Sequence, residues 1–412
     1  MQKVYFKTFG CRTNIYDTEV MASNLGPFER VFDEKSAQII VVNSCTVTNG
    51  ADVSVRHYIR QQNRAGKRVI IAGCGALSRG EKLKEDGLVF GVLGHSQKAN
   101  LGSLLAKNSP FVQRGDLTTL DAPKAFKGEK TKAFIKIQEG CDFQCSYCII
   151  PQVRGKARSH KEADLLSQVR DLIAEGYTEV VLTGTNIGSY GKDTGSSLGK
   201  LLENLGKISG LKRVRLGSIE PVQIDGKMLE ILDAPWIERH LHVALQHTSP
   251  KMLRLMRRRN QVAKDLELFE ALSSRGFALG TDFITGHPGE DEECWNEAWK
   301  WLERFPLTHV HGFTYSKRDN TPSAKMKPEI LGNIAKERLR ALEELVAKKN
   351  YKFRQQNSDI PLMVLVEENK NSIASGYDQF YNQVRIHGDI AKHSWVEIGQ
   401  YAIEEKYNEA TI

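Results

Sequence analysis

The stretch Gly140-Cys141-Asp142-Phe143-Gln144-Cys145-Ser146-Tyr147-Cys148 places three thiols within eight residues, in the pattern C-x3-C-x2-C. Thiols this close in sequence can converge on one metal centre from a single loop. A 4Fe-4S cube usually takes four cysteine ligands. Three local ligands leave one iron without a protein ligand, and an open coordination position is what a reactive metal site needs. The stretch therefore predicts a reactive iron–sulfur site.

Structural zinc is the alternative interpretation of the same thiols. Structural zinc is normally closed by four ligands, which tend to come as separated pairs of Cys or His. No fourth cysteine lies near this stretch, and His160 is twelve residues beyond Cys148. The ligand count therefore favours the cluster over zinc.

Three further cysteines each follow a predicted strand in the first hundred residues. Apolar runs at 3–9, 38–43 and 68–72 end at Cys11, Cys45 and Cys74, and helical patterns lie between them at 17–25 and 52–64. This alternation predicts an open parallel α/β sheet with crossover helices. The carboxyl ends of parallel strands lie on one edge of such a sheet. We therefore expect these three thiols to meet and to hold a second 4Fe-4S cluster with one open iron.

From Ala133 onward the alternation of strands and helices resumes. Predicted strands lie at 133–139, 178–184, 213–220, 240–247, 278–286 and 308–316, with helical patterns that include 161–174, 263–275 and 292–305. Six units predict an incomplete (βα)6 barrel, because a complete barrel of eight takes roughly 250 residues. The cysteine loop leaves the first strand at its carboxyl end, which is where barrel active sites lie.

The rest of the chain predicts one more domain and a linker. A long amphipathic helix at 333–355 precedes short strands at 362–367, 383–386 and 395–398, which predict a small β-barrel. The polar segment 113–132, broken by Pro123 and Gly128, predicts a linker. The predicted fold class is thus α/β with a small C-terminal β-barrel. The predicted divisions are 1–112 (N-terminal sheet), 113–132 (linker), 133–356 (barrel) and 357–412 (β-barrel).

Composition indicates the cellular compartment of the protein. It has 412 residues, 40% of them hydrophobic, and no apolar run long enough to span a bilayer. It opens on a strand pattern rather than a signal peptide, and its seven cysteines do not form the even-numbered framework of a secreted protein. We expect a cytoplasmic protein with no membrane partner, and a monomer.

The charge distribution indicates a polyanionic partner. The net charge is +8, but residues 356–412 carry nine acidic and four basic residues, so residues 1–355 hold +13. A basic body suits RNA. Arg254, Arg257, Arg258 and Arg259 are predicted to form a basic helix face, from which the last three contact RNA phosphates. A solvated face is the alternative. His242, His309 and His311 are predicted to be packed imidazoles within strands.

These motifs resemble the radical S-adenosylmethionine methylthiotransferases. The resemblance is carried by the three-cysteine nonapeptide with Tyr147, by Phe9-Gly10-Cys11-Arg12-Thr13-Asn14, by Val42-Asn43-Ser44-Cys45-Thr46-Val47 and by Ala72-Gly73-Cys74-Gly75-Ala76. At the C-terminus, Val364-Leu365-Val366-Glu367-Glu368 and Tyr381-Asn382-Gln383-Val384 resemble the TRAM domain, a β-barrel linked to RNA binding. The resemblance covers nearly the whole chain.

The resemblance implies two clusters and a cofactor. In this family, Cys141, Cys145 and Cys148 hold the cluster that binds S-adenosylmethionine and cleaves it to a 5'-deoxyadenosyl radical. Cys11, Cys45 and Cys74 hold the auxiliary 4Fe-4S cluster, which presents sulfur. The resemblance also implies contacts to S-adenosylmethionine from strand ends of the barrel, namely from Tyr147, Thr183, Gly184, Glu220, Gln246 and Asp282.

Further motifs resemble one group within the family. They are Lys136-Ile137-Gln138-Glu139-Gly140-Cys141, Cys148-Ile149-Ile150-Pro151, Arg154-Gly155-Lys156-Ala157-Arg158-Ser159 and the stretch from Leu182 to Gly191. That group adds methylthio to C2 of N6-threonylcarbamoyladenosine next to the anticodon of tRNA. The implied partners are tRNA, an electron donor such as flavodoxin or ferredoxin, and machinery that supplies sulfur. The alternatives are methylthiotransferases acting on N6-isopentenyladenosine or on an aspartate of a ribosomal protein, and a non-enzymatic, zinc-containing RNA-binding protein.

Overall fold

The first part of the chain alternates strands and helices, as its apolar runs predict. The structure is a computed structural model that describes residues 1–121 and 130–412. The elements of this part are β1 (Lys3–Thr8), α1 (Arg12–Ala22), β2 (Glu29–Val31), β3 (Ile39–Ser44), α2 (Asn49–Arg64), β4 (Arg68–Gly73), α3 (Cys74–Glu85), β5 (Gly91–Leu93), α4 (Leu101–Ala106) and β6 (Phe111–Gln113).

These six strands form one parallel sheet in the order β2-β1-β3-β4-β5-β6. Every residue of β3 is buried, which is why the run is apolar without alternation. Since β1 and β4 flank β3 in parallel register, the loops that follow these three strands leave from one edge of the sheet. The predicted open parallel sheet is confirmed, and β2 and β6 extend it on both sides.

The central part of the chain forms the barrel. Its elements are β7 (Ala133–Glu139), α5 (Ile150–Arg154), β8 (Arg158–Ser159), α6 (Glu162–Ala174), β9 (Glu179–Gly184), α7 (Leu198–Leu205), β10 (Arg213–Leu216), α8 (Gly226–Leu232), β11 (His240–His242), α9 (Pro250–Leu255), α10 (Val262–Ser274), β12 (Ala278–Thr285), α11 (Glu292–Arg304), β13 (His309–Thr314) and α12 (Gly332–Gln356).

The six parallel barrel strands follow one another around the barrel. β7, β9 and β10 pair in one sheet, with the short β8 antiparallel at its edge, and β11, β12 and β13 pair in a second. A parallel bridge between Ile219 and Val243 joins the two sheets. The predicted incomplete barrel is confirmed. β10 and β11 are shorter than predicted because the chain after Leu216 and His242 leaves the ladder for loops, which keep only isolated bridges.

The C-terminal part is a curled six-stranded sheet, consistent with the predicted small barrel. Its strands are β14 (Leu362–Lys370), β15 (Ile373–Tyr377), β16 (Gln383–His387), β17 (Trp395–Ile398), β18 (Ala402–Ile403) and β19 (Asn408–Thr411), in the order β17-β14-β15-β16-β19-β18. It packs on the barrel where strands begin, because Arg213 donates to the carbonyl of Asp378 at 3.1 Å and Trp395 donates to Thr178 at 2.8 Å.

The domain limits at 112, 132 and 356 stay predictions. Part of the predicted linker, including Pro123 and Gly128, lies in 122–129, outside the described residues. The carboxylate of Asp121, just before that gap, is buried and accepts hydrogen bonds from Lys98 at 2.8 Å and Lys136 at 3.2 Å. Within the described residues, no helix is both long and apolar enough to cross a membrane.

Candidate active site

The loop of the first cysteine set leaves the carboxyl end of β7. Sγ of Cys141 accepts hydrogen bonds from the backbone N–H of Phe143 at 3.4 Å and from Nδ2 of Asn186 at 3.7 Å. Burial, with smaller contributions from the neighbouring thiols of Cys145 and Cys141, raises the pKa of Cys148 to about 12. The three sulfurs are therefore close enough to interact electrostatically.

The second cysteine set lies at the edge of the N-terminal sheet. Gly10, at φ +101°, turns the chain before Cys11, and a Cβ there would lie 2.6 Å from Cβ of Cys45. Gly73, at φ +79°, makes the same turn before Cys74. Burial raises the pKa of Cys45 to about 11, with smaller upward contributions from the thiols of Cys74 and Cys11. The structure thus brings together three thiols that are far apart in sequence.

Both thiol sets have the chemistry of a metal centre. All six thiols are free of disulfides. A thiol must lose its proton to ligate a metal, and two arginines can stabilise the resulting charge on sulfur. Arg154 donates from Nε to Sγ of Cys74 at 3.2 Å, and Arg258 donates from Nη1 to Sγ of Cys145 at 3.5 Å. Within the described part of the chain, Oδ1 of Asn186 is buried beside Cys141 without a hydrogen-bond partner. The residues present therefore fit iron–sulfur ligation.

A cavity of about 370 Å³ lies between the N-terminal sheet and the barrel. Cys11 of the second set lines it, and so does Tyr147 of the first cysteine loop. Of the residues predicted to contact S-adenosylmethionine, Tyr147, Gly184, Gln246 and Asp282 line this cavity. Gln246 holds φ at +64°, a backbone conformation that is costly for a residue other than glycine and is found at ligand sites.

A second cavity, of about 560 Å³, reaches further into the barrel. We call it the inner cavity. It shares six lining residues with the first cavity: Cys11, Thr13, Gly184, Thr185, Asp282 and Phe313. Thr183 also lines it, and its hydroxyl lies 3.3 Å from that of Thr13. The remaining predicted contact, Glu220, lines neither cavity; instead it forms a two-pronged ion pair with Arg258 beside Cys145.

The predicted basic helix face at Arg257, Arg258 and Arg259 is wrong in two respects. α9 ends at Leu255, so these residues lie in the turn that follows the helix, with Arg257 at φ +54°. The side chain of Arg258 is only 2% exposed, because it pairs with Glu220. It therefore does not present a charge to RNA. Arg257 and Arg259 are exposed, and the Arg259 guanidinium lies 4.6 Å from the centre of the Phe143 ring.

His242, His309 and His311 were predicted to be packed within strands, but all three line the inner cavity. His242 and His311 stack with ring centres 4.6 Å apart, and both face the Asp282 carboxylate, at 3.1 Å and 3.5 Å. The His311 side chain is 57% exposed. Burial would raise the pKa of Asp282, but His242 and His311 lower it on balance. Alternation of these histidines within strands was the available indication that they share one face.

A buried charge network joins the N-terminal sheet to the barrel. Arg154 donates to Glu139 at 2.6 Å and to Asp17 at 3.1 Å. Lys136 lies 2.9 Å from Asp17 and 3.1 Å from Glu139. Burial would lower the pKa of Lys136, but the surrounding carboxylates of Asp17, Glu139 and Asp121 hold it well above its usual value. Buried charges of this kind persist only when they are paired, so the network fixes the contact between the two cysteine-bearing domains.

Comparison with known proteins agrees with this arrangement. Residues 135–302 match the "Radical SAM superfamily", and residues 3–94 match "Uncharacterized protein family UPF0004". The fold also resembles the radical S-adenosylmethionine methyltransferase TsrM from Kitasatospora setae, with a TM-score of 0.60 and 16% identity, over 79% of this chain and 77% of that one. At that identity the likeness concerns the fold alone.

Curated relatives narrow the family. The chain is 49% identical to a "Putative methylthiotransferase" of Helicobacter pylori strain J99 over 100% of both chains. It is 33% identical to the "Threonylcarbamoyladenosine tRNA methylthiotransferase MtaB" of Aquifex aeolicus, covering 97% of this chain and 98% of the relative. It is also 33% identical to the "tRNA-2-methylthio-N(6)-dimethylallyladenosine synthase" of Bacillus cytotoxicus, covering 91% and 79%.

The chain belongs to the radical S-adenosylmethionine methylthiotransferase family. It is therefore an enzyme that transfers a methylthio group, and the non-enzymatic zinc alternative falls away. Membership implies a 4Fe-4S cluster and S-adenosylmethionine. The relatives' names divide between two modified adenosines at equal identity, so they leave the substrate to be argued from the site.

Proposed function

We propose that this enzyme adds a methylthio group to C2 of N6-threonylcarbamoyladenosine next to the anticodon of tRNA. One observation carries the proposal: Cys11 and Tyr147, from the two cysteine-bearing loops, line the same cavity. A reaction that joins sulfur to carbon needs the sulfur source and the radical source to face one substrate. A cavity bordered by both loops meets that requirement.

The proposed division of labour follows the two cysteine sets. Cys141, Cys145 and Cys148 would hold the cluster that binds S-adenosylmethionine, and Cys11, Cys45 and Cys74 would hold a second 4Fe-4S cluster. When bound, these groups would supply the radical that breaks the unreactive C2–H bond, the sulfur, and its methyl group. Arg258 and Asn186 would orient the first set through their hydrogen bonds to sulfur, and Tyr147, Gly184, Gln246 and Asp282 would border the cofactor.

The choice of substrate is supported by charged and polar side chains in the lining of the inner cavity. Its lining includes Arg12, Glu238 and four imidazoles. A threonylcarbamoyl group, with its carboxylate, hydroxyl and urea groups, can hydrogen-bond with such a lining. An isopentenyl group would offer no acceptor to the Arg12 guanidinium, which donates a hydrogen bond to Tyr381, and leaving buried donors unused costs free energy. The relative from Aquifex aeolicus, whose name refers to threonylcarbamoyladenosine, supports the same choice.

The proposed reaction requires several partner molecules. Reductive cleavage of S-adenosylmethionine calls for an electron donor such as flavodoxin or ferredoxin, and repeated sulfur transfer calls for machinery that restores sulfur. We propose tRNA as the macromolecular substrate, the cytoplasm as the place of reaction, and a monomer as the acting form.

Nucleoside analysis of tRNA from a deletion strain tests the proposal. We expect the 2-methylthio derivative of N6-threonylcarbamoyladenosine to disappear, N6-threonylcarbamoyladenosine to accumulate, and 2-methylthio-N6-isopentenyladenosine to stay constant. Complementation with the wild-type gene should restore the first nucleoside. Loss of the isopentenyl derivative instead would assign the other tRNA substrate, and unchanged nucleosides together with a changed ribosomal protein mass would reject tRNA.

A further inference from the structure

Arg12 is a half-buried cation that forms no salt bridge with a residue the structure describes. It follows Cys11 directly and lines the inner cavity. Its Nη2 donates to the hydroxyl of Tyr381 at 2.9 Å, and its guanidinium lies 5.7 Å from the centre of that ring. Among residues 1–121 and 130–412, no carboxylate lies within salt-bridge distance of Arg12. A guanidinium has five N–H donors, so most of its hydrogen-bonding capacity is unused.

The acidic groups of the inner cavity are engaged elsewhere. Glu238 is paired with Arg215, and burial raises the pKa of Glu238 to about 7. Asp282 faces His242 and His311. Arg12 is the single Lys or Arg side chain in the lining that the structure describes. Arg12 is therefore the cation that this lining offers to an anionic ligand, while Asp282 and, at longer range, Glu238 contribute negative charge to the same wall.

We infer that the inner cavity binds the N6 substituent of the modified adenosine and that Arg12 recognises the carboxylate of that substituent. This inference rests on the proposed function and deepens it. A guanidinium matches a carboxylate with two parallel hydrogen bonds. The hydrogen bond to the hydroxyl of Tyr381 holds Arg12 in place beside that ring.

The position of Arg12 separates this role from binding of S-adenosylmethionine. The inner cavity shares Gly184 and Asp282 with the proposed border of the cofactor and is also lined by Thr183, but it is not lined by Tyr147, Gln246 or any thiol of the first set. The arginine that lies beside the first thiol set is Arg258, which contacts Cys145 and Glu220. Arg12 lies instead next to Cys11, the thiol of the second set that both cavities share. A base whose C2 faces Cys11 could extend its N6 substituent into the inner cavity.

Equilibrium binding to three matched RNAs tests the inference. They are anticodon stem–loops in which the adenosine next to the anticodon carries threonylcarbamoyl, isopentenyl or no substituent. The protein is the full chain, reconstituted without oxygen, and fluorescence anisotropy gives the dissociation constants. We expect wild-type protein to prefer the threonylcarbamoyl RNA. Arg12→Gln should weaken that binding roughly tenfold or more, as loss of a charge-assisted pair does, and leave the unsubstituted RNA within about twofold, since that RNA makes no such pair.

Two controls separate charge from folding. Arg12→Lys keeps the charge but not the two-pronged geometry and should retain part of the preference. Tyr381→Phe removes a hydroxyl but no charge and should retain most of it. Without any substitution, the neutral methyl ester of the threonylcarbamoyl group should bind wild-type protein as weakly as the acid binds Arg12→Gln.

The outcomes distinguish the inference from the proposed function. If wild-type protein prefers the threonylcarbamoyl RNA and Arg12→Gln keeps that preference, or if the methyl ester binds as tightly as the acid, the inference is wrong and the substrate stands. Equal weakening for all three RNAs, or weaker binding of S-adenosylmethionine, would also overturn it, by making Arg12 a phosphate or cofactor contact. A wild-type preference for the isopentenyl RNA would reject the proposed substrate and the inference together.

Discussion

Arg154 donates a hydrogen bond from Nε to Sγ of Cys74 at 3.2 Å. Arg154 is the last residue of α5, which follows the first cysteine loop. Cys74 is the first residue of α3, which follows a strand of the N-terminal sheet. The same guanidinium binds Asp17 and Glu139. One side chain thus connects the loop of the first thiol set to a thiol of the second. The distance between the two proposed cluster sites is held by buried electrostatics as well as by apolar packing.

Removal of the Arg154 charge should destabilise the domain contact. Arg154→Gln leaves the carboxylates of Asp17 and Glu139 buried with less compensation. Breaking a buried ion pair from one side typically costs about 3–5 kcal/mol, so we expect a fall of that order in the free energy of unfolding. The measurement is urea unfolding of the metal-free chain, monitored by fluorescence.

An exposed ion pair gives the matched control for Arg154. Arg114 lies 3.1 Å from Glu81, and both side chains are about half exposed. Arg114→Gln removes the same charge and should cost no more than about 1 kcal/mol, because solvent screens exposed pairs. Equal losses for the two variants would contradict a structural role for the buried network.

Buried histidines should make the protein less stable as the pH falls from neutrality. Burial, assisted by the charge of Lys136, lowers the pKa of His160 to about 4. The unfolded chain has a histidine pKa near about 6.5, so between these values only the unfolded state binds the proton. His160 therefore reduces stability by up to roughly 1.4 kcal/mol for each pH unit below about 6.5. His160→Gln should flatten the dependence of the urea midpoint on pH between 7 and 5.

The exposed His57 provides the control for that measurement. His57→Gln should leave the pH dependence as it is in the wild type. An identical slope in wild type and His160→Gln would show that folding does not lower the pKa of His160.

Sequence rules predicted which thiols lie together, but they missed contacts between individual charged side chains that no spacing or strand order relates. Spacing within one loop predicted that Cys141, Cys145 and Cys148 lie together, and their positions after strands predicted the same of Cys11, Cys45 and Cys74. The contact between Asp17 and Lys136 joins residues 119 positions apart, and no periodicity encodes it. Burial of Arg258 was missed for the same reason, because its partner Glu220 lies 38 positions away. A run of arginines has the same composition whether its members face solvent or a carboxylate.

Arg257 and Arg259 should contribute to the salt dependence of RNA affinity. Each lost phosphate contact reduces the slope of log affinity against log salt by roughly 0.7–0.9. If both arginines contact phosphate, the double change Arg257→Gln and Arg259→Gln should reduce the slope by up to about 2. The measurement is tRNA binding across a salt series. Arg340→Gln, which removes a 77% exposed charge from the long helix, is the control.

Arg258 should behave differently from its two neighbours. Arg258→Gln removes the partner of Glu220 and a donor to Cys145, so we expect lower iron content or weaker binding of S-adenosylmethionine. The salt slope should stay unchanged. A reduced slope in this variant would mean that the side chain leaves Glu220 when RNA binds.

The two cysteine sets should have separable functions. Reconstituted wild type should hold about eight irons, because it has ligands for two 4Fe-4S clusters, and each triple Cys→Ala variant about four. Without Cys11, Cys45 and Cys74, the protein should still form 5'-deoxyadenosine but no methylthio nucleoside, since radical formation needs no sulfur source. Without Cys141, Cys145 and Cys148, both products should be absent. Chromatography quantifies both, and methylthio product from the first variant would reject the assignment.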